Sequence, residues 1–284
     1  MDERRVGEVL LLATDYLRNK GRESPRLAAE ILLARTLNCG RIRVYMRFED
    51  PISEPLLTQF RELIRRRGEG EPVAYIIGEK EFFSLRFAVT PAVLIPRPET
   101  ETLVETVLRE IRALRVRSPR ILDAGVGPGT VLLSLAHSLD KGRFVGVDVS
   151  PEAVAVAERN RRALCDGKDV SFHVGNWFEP LPEQEFDVIV SNPPYIPTYA
   201  LNGLSEEIRN YEPVVALDGG ADGLDAYRKI AEDLGKYLAG NGFSALEIGA
   251  DQAESVRGIF GAAGFGTEIA KDLGGQDRVV VMRR

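Results

Sequence analysis

The sequence predicts an α/β fold over residues 98–284 and a separate, wholly helical region before it, and three observations carry that reading. Strand-length apolar runs at 120–124, 143–148, 170–174 and 186–190 alternate with helical patterns. A glycine-rich segment, Gly125-Val126-Gly127-Pro128-Gly129, stands where the first of those runs passes into a helix. Residues 1–70 show apolar residues at helical spacing, with no glycine loop and no strand alternation.

Taken in order, Val6, Leu10, Ala13 and Leu17 define a first helix that stops by Gly21. Ser24-Pro25 opens a second helix through Leu27, Ile31, Ala34 and Leu37, ended by Gly40. A third is expected from about Pro55 to Arg67. Residues 1–73 are thus expected to form a helical bundle and 74–97 a β-hairpin linker, with Tyr75-Ile76-Ile77-Gly78 and Phe82 to Val89 as its strands. In the segment Ile95-Pro96-Arg97-Pro98-Glu99 the prolines end extended structure. Arg97 and Glu99 read either as a linker ion pair or as part of a loop lining the mouth of a site. Thr100-Glu101 then starts a helix with Leu103, Val104, Val107 and Leu108 on one face.

Composition sets outer bounds. At 284 residues the chain exceeds what one core usually organises, and 44% hydrophobic with 28% charged residues is ordinary for a soluble globular protein. No signal-peptide layout or membrane-length apolar run is present, so a cytoplasmic location is expected. Cys39, Cys165, His137 and His173 cannot supply a zinc cluster or a disulfide framework, and no metal is expected. Residues 1–70 carry 14 Lys/Arg against 11 Asp/Glu, and the remainder 23 against 32. Arg61, Arg65, Arg66 and Arg67 read as a solvated helix face or, more sharply, as a partner-docking face. The overall acidity disfavours a broad phosphate-binding surface, so no nucleic-acid target is expected.

The chemistry concentrates at predicted strand ends, where open α/β sheets bind ligands. The loop Gly125, Val126, Gly127, Pro128, Gly129 departs from the dinucleotide spacing, because Thr130 and Leu132 stand where glycine is required, which disfavours NAD. Asp148 ends the next strand and can accept from both hydroxyls of a ribose, with Ser150 as N-cap and Pro151 opening the helix that follows. Asp123, one strand earlier, is placed to hold an amino group. Asn176 and Trp177, after a third strand, offer a polar edge and an aromatic face to an adenine. Finally Asn192-Pro193-Pro194-Tyr195 brings a side-chain amide, outward-held carbonyls and an aromatic ring to one point. That set suits a planar amino group: the target is an amide or an amino-substituted base, with Asn192 Oδ1 and a main-chain carbonyl accepting its hydrogens and Tyr195 stacking on its plane.

This order of features resembles the class I S-adenosylmethionine-dependent methyltransferases. More specific segments resemble the PrmC/HemK family, the glutamine methyltransferases of peptide-chain release factors: Gly70 to Gly78, Ile95 to Glu101, Ser191 to Ile196, Tyr211-Glu212-Pro213 with Ala216 to Gly220, and Asp272-Leu273 with Asp277 to Val281. The resemblance spans nearly the whole chain. It implies a Rossmann-like, mostly parallel seven-stranded sheet behind an N-terminal bundle; that bundle, which has no cofactor motif and carries local positive charge, is expected to dock the substrate. It also implies S-adenosylmethionine as methyl donor, S-adenosylhomocysteine as product, and a class 1 release factor as protein partner, methylated on the glutamine of its Gly-Gly-Gln motif. Carried over, the cofactor loop is Gly125 to Gly129, the ribose ligand Asp148 and the adenine contact Trp177; the substrate glutamine is held by Asn192, Pro193, Pro194 and Tyr195. Asn176 stands where the family commonly has Asp, which removes charge assistance from that contact.

An adenine-N6 methyltransferase of nucleic acids is the rival reading, since an adenine amino group fits the same tetrapeptide. A cofactor-binding protein without turnover is the non-catalytic rival. Gly274-Gly275-Gln276 repeats the substrate tripeptide within the chain, but lies between two expected strands and reads as a turn.

Overall fold

A computed structural model describes residues 4–182 and 185–284, and the chain divides into two units. The first comprises the chain up to Gly78 together with Ser205–Tyr211; the opening residues 1–3 of the expected bundle lie outside the described residues. Its helices are α1 (Val6–Asn19), α2 (Pro25–Thr36), α3 (Arg41–Met46), α4 (Glu54–Gly68) and α5 (Val73–Ile77). The apolar stripe read from the sequence is the core: Val6, Leu10, Ala13 and Leu17 of α1 pack with Leu32 and Leu33 of α2 and with Leu57, Phe60 and Ile64 of α4.

The segment Tyr75-Ile76-Ile77, expected as a strand, is helical. Val73, Ile76 and Ile77 pack on this core at positions i, i+3 and i+4, a spacing only a helix puts on one face. Gly78 ends the helix at φ 77°, where glycine carries no Cβ penalty. The arginine run also differs from a free cationic face: Arg61 pairs with Glu54, Arg65 with Glu62 and Glu69, and Arg66 with Glu71. Arg67 is buried and pairs at 2.7 Å with Glu207, in a short helix (Glu206–Tyr211) that the later chain contributes to this unit.

The second unit begins with an antiparallel hairpin, β1 (Glu79–Phe82) and β2 (Leu85–Ala88), then a 3-10 turn at Pro98–Thr100 and α6 (Glu101–Leu114). There follow β3 (Arg120–Ala124), α7 (Thr130–Ser138), β4 (Arg143–Asp148), α8 (Pro151–Leu164), β5 (Asp169–Val174) and β6 (Phe186–Ser191). With the helix at Glu206–Tyr211 counted as α9, the chain continues through α10 (Asp225–Tyr237), β7 (Leu238–Glu247), α11 (Ala253–Ala262), β8 (Gly266–Lys271) and β9 (Asp277–Arg283). The seven strands from β3 to β9 form one sheet in the order β5-β4-β3-β6-β7-β9-β8. The first five are parallel; β9 runs antiparallel to both β7 and β8.

The strands read as near-continuous apolar runs because both sheet faces are covered. Ile121, Val188, Val190, Val279 and Val281 belong to one core with Leu103, Val107 and Leu132. Their neighbours Leu122, Ile189, Val280 and Met282 belong to the other, with Tyr227, Ile230, Val256 and Phe260. Side chains two apart thus share a face, as the pleat requires. Strand order reverses between β3 and β6, the position at which open parallel sheets bind ligands beyond their carboxyl ends. Gly274-Gly275-Gln276 is a turn between β8 and β9: the Gln276 N–H donates to Asp272 Oδ1 at 3.0 Å, and Gly275 sits at φ 79°. Among the described residues, no helix is long and apolar enough to cross a membrane.

Candidate active site

At that switch point the second unit holds a cavity of about 380 Å³, large enough for a nucleoside with a side arm. Gly125, Val126, Gly127 and Pro128 line it. The loop is anchored to β4, since the N–H groups of Gly125 and Val126 both donate to the Val147 carbonyl, at 2.8 and 2.9 Å. Gly129 does not line the cavity; it caps α7 at φ 85°, where a Cβ would fall 2.9 Å from Leu133 Cδ1. Asn160 of α8 braces the turn from behind: its Nδ2 donates to the Pro128 carbonyl at 2.8 Å, and its Oδ1 accepts from the N–H of Ala88 in the hairpin at 2.7 Å.

Asp148 stands at the end of β4 on the cavity wall. Its Oδ2 accepts from the Gly127 N–H at 2.8 Å and its Oδ1 from the Ser150 N–H at 3.0 Å, which fixes the carboxylate and leaves lone pairs for a ligand. Burial raises its pKa against those backbone bonds. Asp123 is only 2% exposed; burial pushes its carboxyl up to about 7, opposed by the N–H of Leu132 at 3.2 Å and assisted by the negative charge of Asp148. A ligand amino group presented to this wall would meet two carboxylates at the ends of adjacent strands.

Beyond β5, Asn176 and Trp177 also line the cavity. Trp177 has φ 50°, a costly backbone state for a bulky residue and one that concentrates at ligand sites. Its ring lies against the glycine loop, with Cζ3 3.7 Å from where a Gly125 Cβ would stand. The cavity therefore combines an apolar wall, an aromatic face, a carboxylate held by backbone donors and a second buried carboxylate. That donor set fits a nucleoside bearing a cationic side arm.

Of the tetrapeptide after β6, Asn192 and Pro194 line the cavity. The Asn192 amide is committed on one side, its Nδ2 donating to Thr100 Oγ1 at 3.2 Å, so Oδ1 is the atom available to a substrate. Pro193 is buried and off the lining. Tyr195 is off the lining too. Its hydroxyl turns to the Glu247 carboxyl instead of its ring turning to the cavity, and burial with that neighbouring acid pushes the phenol up to about 12.

The loop has little freedom. Gln252 Nε2 donates to the Tyr195 carbonyl at 2.9 Å, Ile196 pairs in parallel with Asp218, and a Cβ on Gly219 would fall 2.8 Å from Tyr195 Cα. Gln252 and Asn160 carry no signal in the sequence because their partners are main-chain groups 57 and 72 residues away. Arg97 pairs with Glu212 at 2.5 Å rather than with Glu99, and it lines the cavity. Glu212 also accepts the Ile95 N–H at 3.0 Å, so one buried carboxylate fixes the proline-rich segment at the mouth.

Comparison with known proteins identifies the family. Residues 8–78 match the PrmC N-terminal domain family and residues 117–225 a methyltransferase domain family. The chain is 45% identical to the release factor glutamine methyltransferase of Geobacter sulfurreducens, across 97% of this chain and 95% of that one. It is 42% identical to that of Moorella thermoacetica, across 93% of each. A methyltransferase structure from Pyrococcus furiosus superposes with a TM-score of 0.52 at 18% identity, covering 77% of this chain and 95% of that one, which speaks to the fold alone. With relatives this similar across nearly its whole length, the chain belongs to the release factor glutamine methyltransferase family and is an S-adenosylmethionine-dependent methyltransferase.

Proposed function

We propose that this enzyme methylates the side-chain amide nitrogen of the glutamine in the Gly-Gly-Gln motif of class 1 release factors, acting in the cytoplasm. The observation that carries the reading is Asn192, whose Oδ1 is left open at the cavity edge while its Nδ2 is tied to Thr100. A primary amide has two hydrogens to be accepted and no charge to be matched, and an amide oxygen beside a main-chain carbonyl of the Asn192-Pro193 step meets that need. S-adenosylmethionine supplies an activated methyl group, with Asp148 holding the ribose, Asp123 the amino group, the loop from Gly125 to Pro128 the side arm, and Asn176 and Trp177 the adenine.

The protein's own task is positioning. An amide nitrogen is a weak nucleophile because its lone pair is delocalised. Accepting its hydrogens draws electron density toward it and fixes its direction of approach. Holding it in line with the methyl carbon can contribute roughly 7–11 kcal/mol in favourable systems. Transfer would form the nitrogen–carbon bond as the carbon–sulfur bond breaks, its electron pair staying on sulfur and one proton of the nitrogen then passing to solvent water. The helical unit, expected over residues 1–73 and joined through the linker at 74–97 to the catalytic residues 98–284, docks the folded factor. A three-residue loop alone offers too little surface for a specific interface.

The test is methyl transfer from labelled S-adenosylmethionine to purified release factor, duplex DNA and RNA in parallel. The reading expects label in the protein alone. Label in adenine would replace it with the nucleic-acid reading.

A further inference from the structure

Glu247, the last residue of β7, lies behind the tetrapeptide with 1% of its surface exposed. The hydroxyls of Thr100 and Tyr195 lie beside its carboxyl, while Oε2 has no hydrogen-bond partner among the described residues. Its backbone is pinned, since the Tyr227 hydroxyl donates to the Glu247 carbonyl at 2.9 Å. A buried carboxyl with an unsatisfied oxygen is costly to stability, and such a cost concentrates where function requires it.

Asn192 Nδ2 donates to Thr100 Oγ1 at 3.2 Å, and the Thr100 hydroxyl lies beside the Glu247 carboxyl. A hydroxyl has one proton, so the direction in which it donates depends on the carboxyl. A carboxylate can only accept; Thr100 must then donate to it and use a lone pair to accept from Asn192. A protonated Glu247 can instead donate to Thr100. The freed threonine proton then faces Asn192 and favours the flipped amide, which would present its amino group to the substrate.

We propose that Glu247 is a positioning residue for methyl transfer: acting through Thr100, its carboxylate selects the Asn192 amide orientation that presents Oδ1 to the substrate. The proposal rests on the assignment of Asn192 as acceptor for the target amide. Burial holds the Glu247 carboxyl up at about 7, against the Thr100 and Tyr195 hydroxyls and the nearby Arg278 guanidinium; Glu99 pushes in the same direction as burial. Arg278 is itself paired to Asp272 at 3.0 Å. The selecting charge is therefore gained across neutral pH.

The experiment compares wild type, Glu247→Gln, Thr100→Val and Thr100→Ser by kcat on release factor between pH 5.5 and 9, at saturating S-adenosylmethionine. Binding of S-adenosylhomocysteine serves as the check on folding. Wild-type kcat is expected to rise through a midpoint near 7. Glu247→Gln and Thr100→Val are expected to lose that limb and about tenfold in kcat, with KM and homocysteine-product affinity within twofold of wild type, and Thr100→Ser to restore both. Wild-type kcat and profile in Glu247→Gln would overturn the proposal, as would a Thr100→Ser variant no better than Thr100→Val. If Glu247→Gln does not bind the product, the two Thr100 variants decide. A wild-type chain that methylates no release factor would overturn the parent reading and this proposal with it, whereas an active chain with unaltered variants overturns the proposal alone.

Discussion

Replacing Glu247 with Gln should make the protein more stable at alkaline pH relative to wild type, and the size of the effect follows from burial. The carboxyl titrates at about 7 in the folded chain against an ordinary 4.5. A raised carboxyl pKa means that the folded state holds the proton more tightly than the unfolded one. The associated stability is present in full below 4.5 and lost as pH rises through 7. Over the whole window that loss is on the order of 3 kcal/mol, most of it falling between pH 5 and pH 8. Glutamine does not titrate, and its amide can turn either its oxygen or its amino group to the Thr100 hydroxyl, so the variant escapes the loss while no longer selecting one orientation. Urea unfolding of both proteins at pH 5, 6, 7 and 8 should show the difference between them moving in the variant's favour by that amount. A difference that stays flat across the range would refute the account of Glu247 as a carboxyl held uncharged by burial.

Three further outcomes are expected. Asp148→Ala should weaken S-adenosylhomocysteine binding in calorimetry by at least tenfold, because it removes a carboxylate already fixed by the Gly127 and Ser150 N–H groups; unchanged affinity would make Asp148 purely structural. Titration with the same ligand should change the fluorescence of Trp177, the chain's only tryptophan, saturably and at higher concentration in Asp148→Ala, while a flat signal with binding established by calorimetry would place the ligand away from the indole. A short Gly-Gly-Gln peptide should be a far poorer substrate than the folded release factor, and equal catalytic efficiency on both would remove the docking role given to the helical unit.

What is legible in the sequence is local. The glycine loop, Asp148 with its Ser150 cap, and the apolar strands are readable because each depends on neighbours in the chain, and the Ala153 N–H does donate to Ser150 Oγ at 3.1 Å. Tyr75 to Ile77 mislead because a short run of β-branched and aromatic residues suits a strand equally well. Docking of Val73, Ile76 and Ile77 on the bundle core decides for a helix. The Arg97 partner is hidden for a different reason: Glu99 is close in sequence, whereas Glu212 is 115 residues away. Thr100 and Glu247 are silent as well, one disguised as a helix start and the other as the end of an apolar strand. Their importance exists only once β6 pairs with β7, which sets Glu247 beside the segment after β6, and the turn before α6 brings Thr100 to the Asn192 amide.

The central claim is that Asn192 presents an acceptor to a glutamine amide, and the most direct measurement is tandem mass spectrometry of release factor after incubation with S-adenosylmethionine and either wild type or Asn192→Ala. Wild type should add one methyl group, located by fragmentation on the side-chain nitrogen of the Gly-Gly-Gln glutamine. Asn192→Ala should do so about a hundredfold more slowly while binding the cofactor product as wild type does. Methylation at any other residue, or a near-normal rate in Asn192→Ala, would contradict the account.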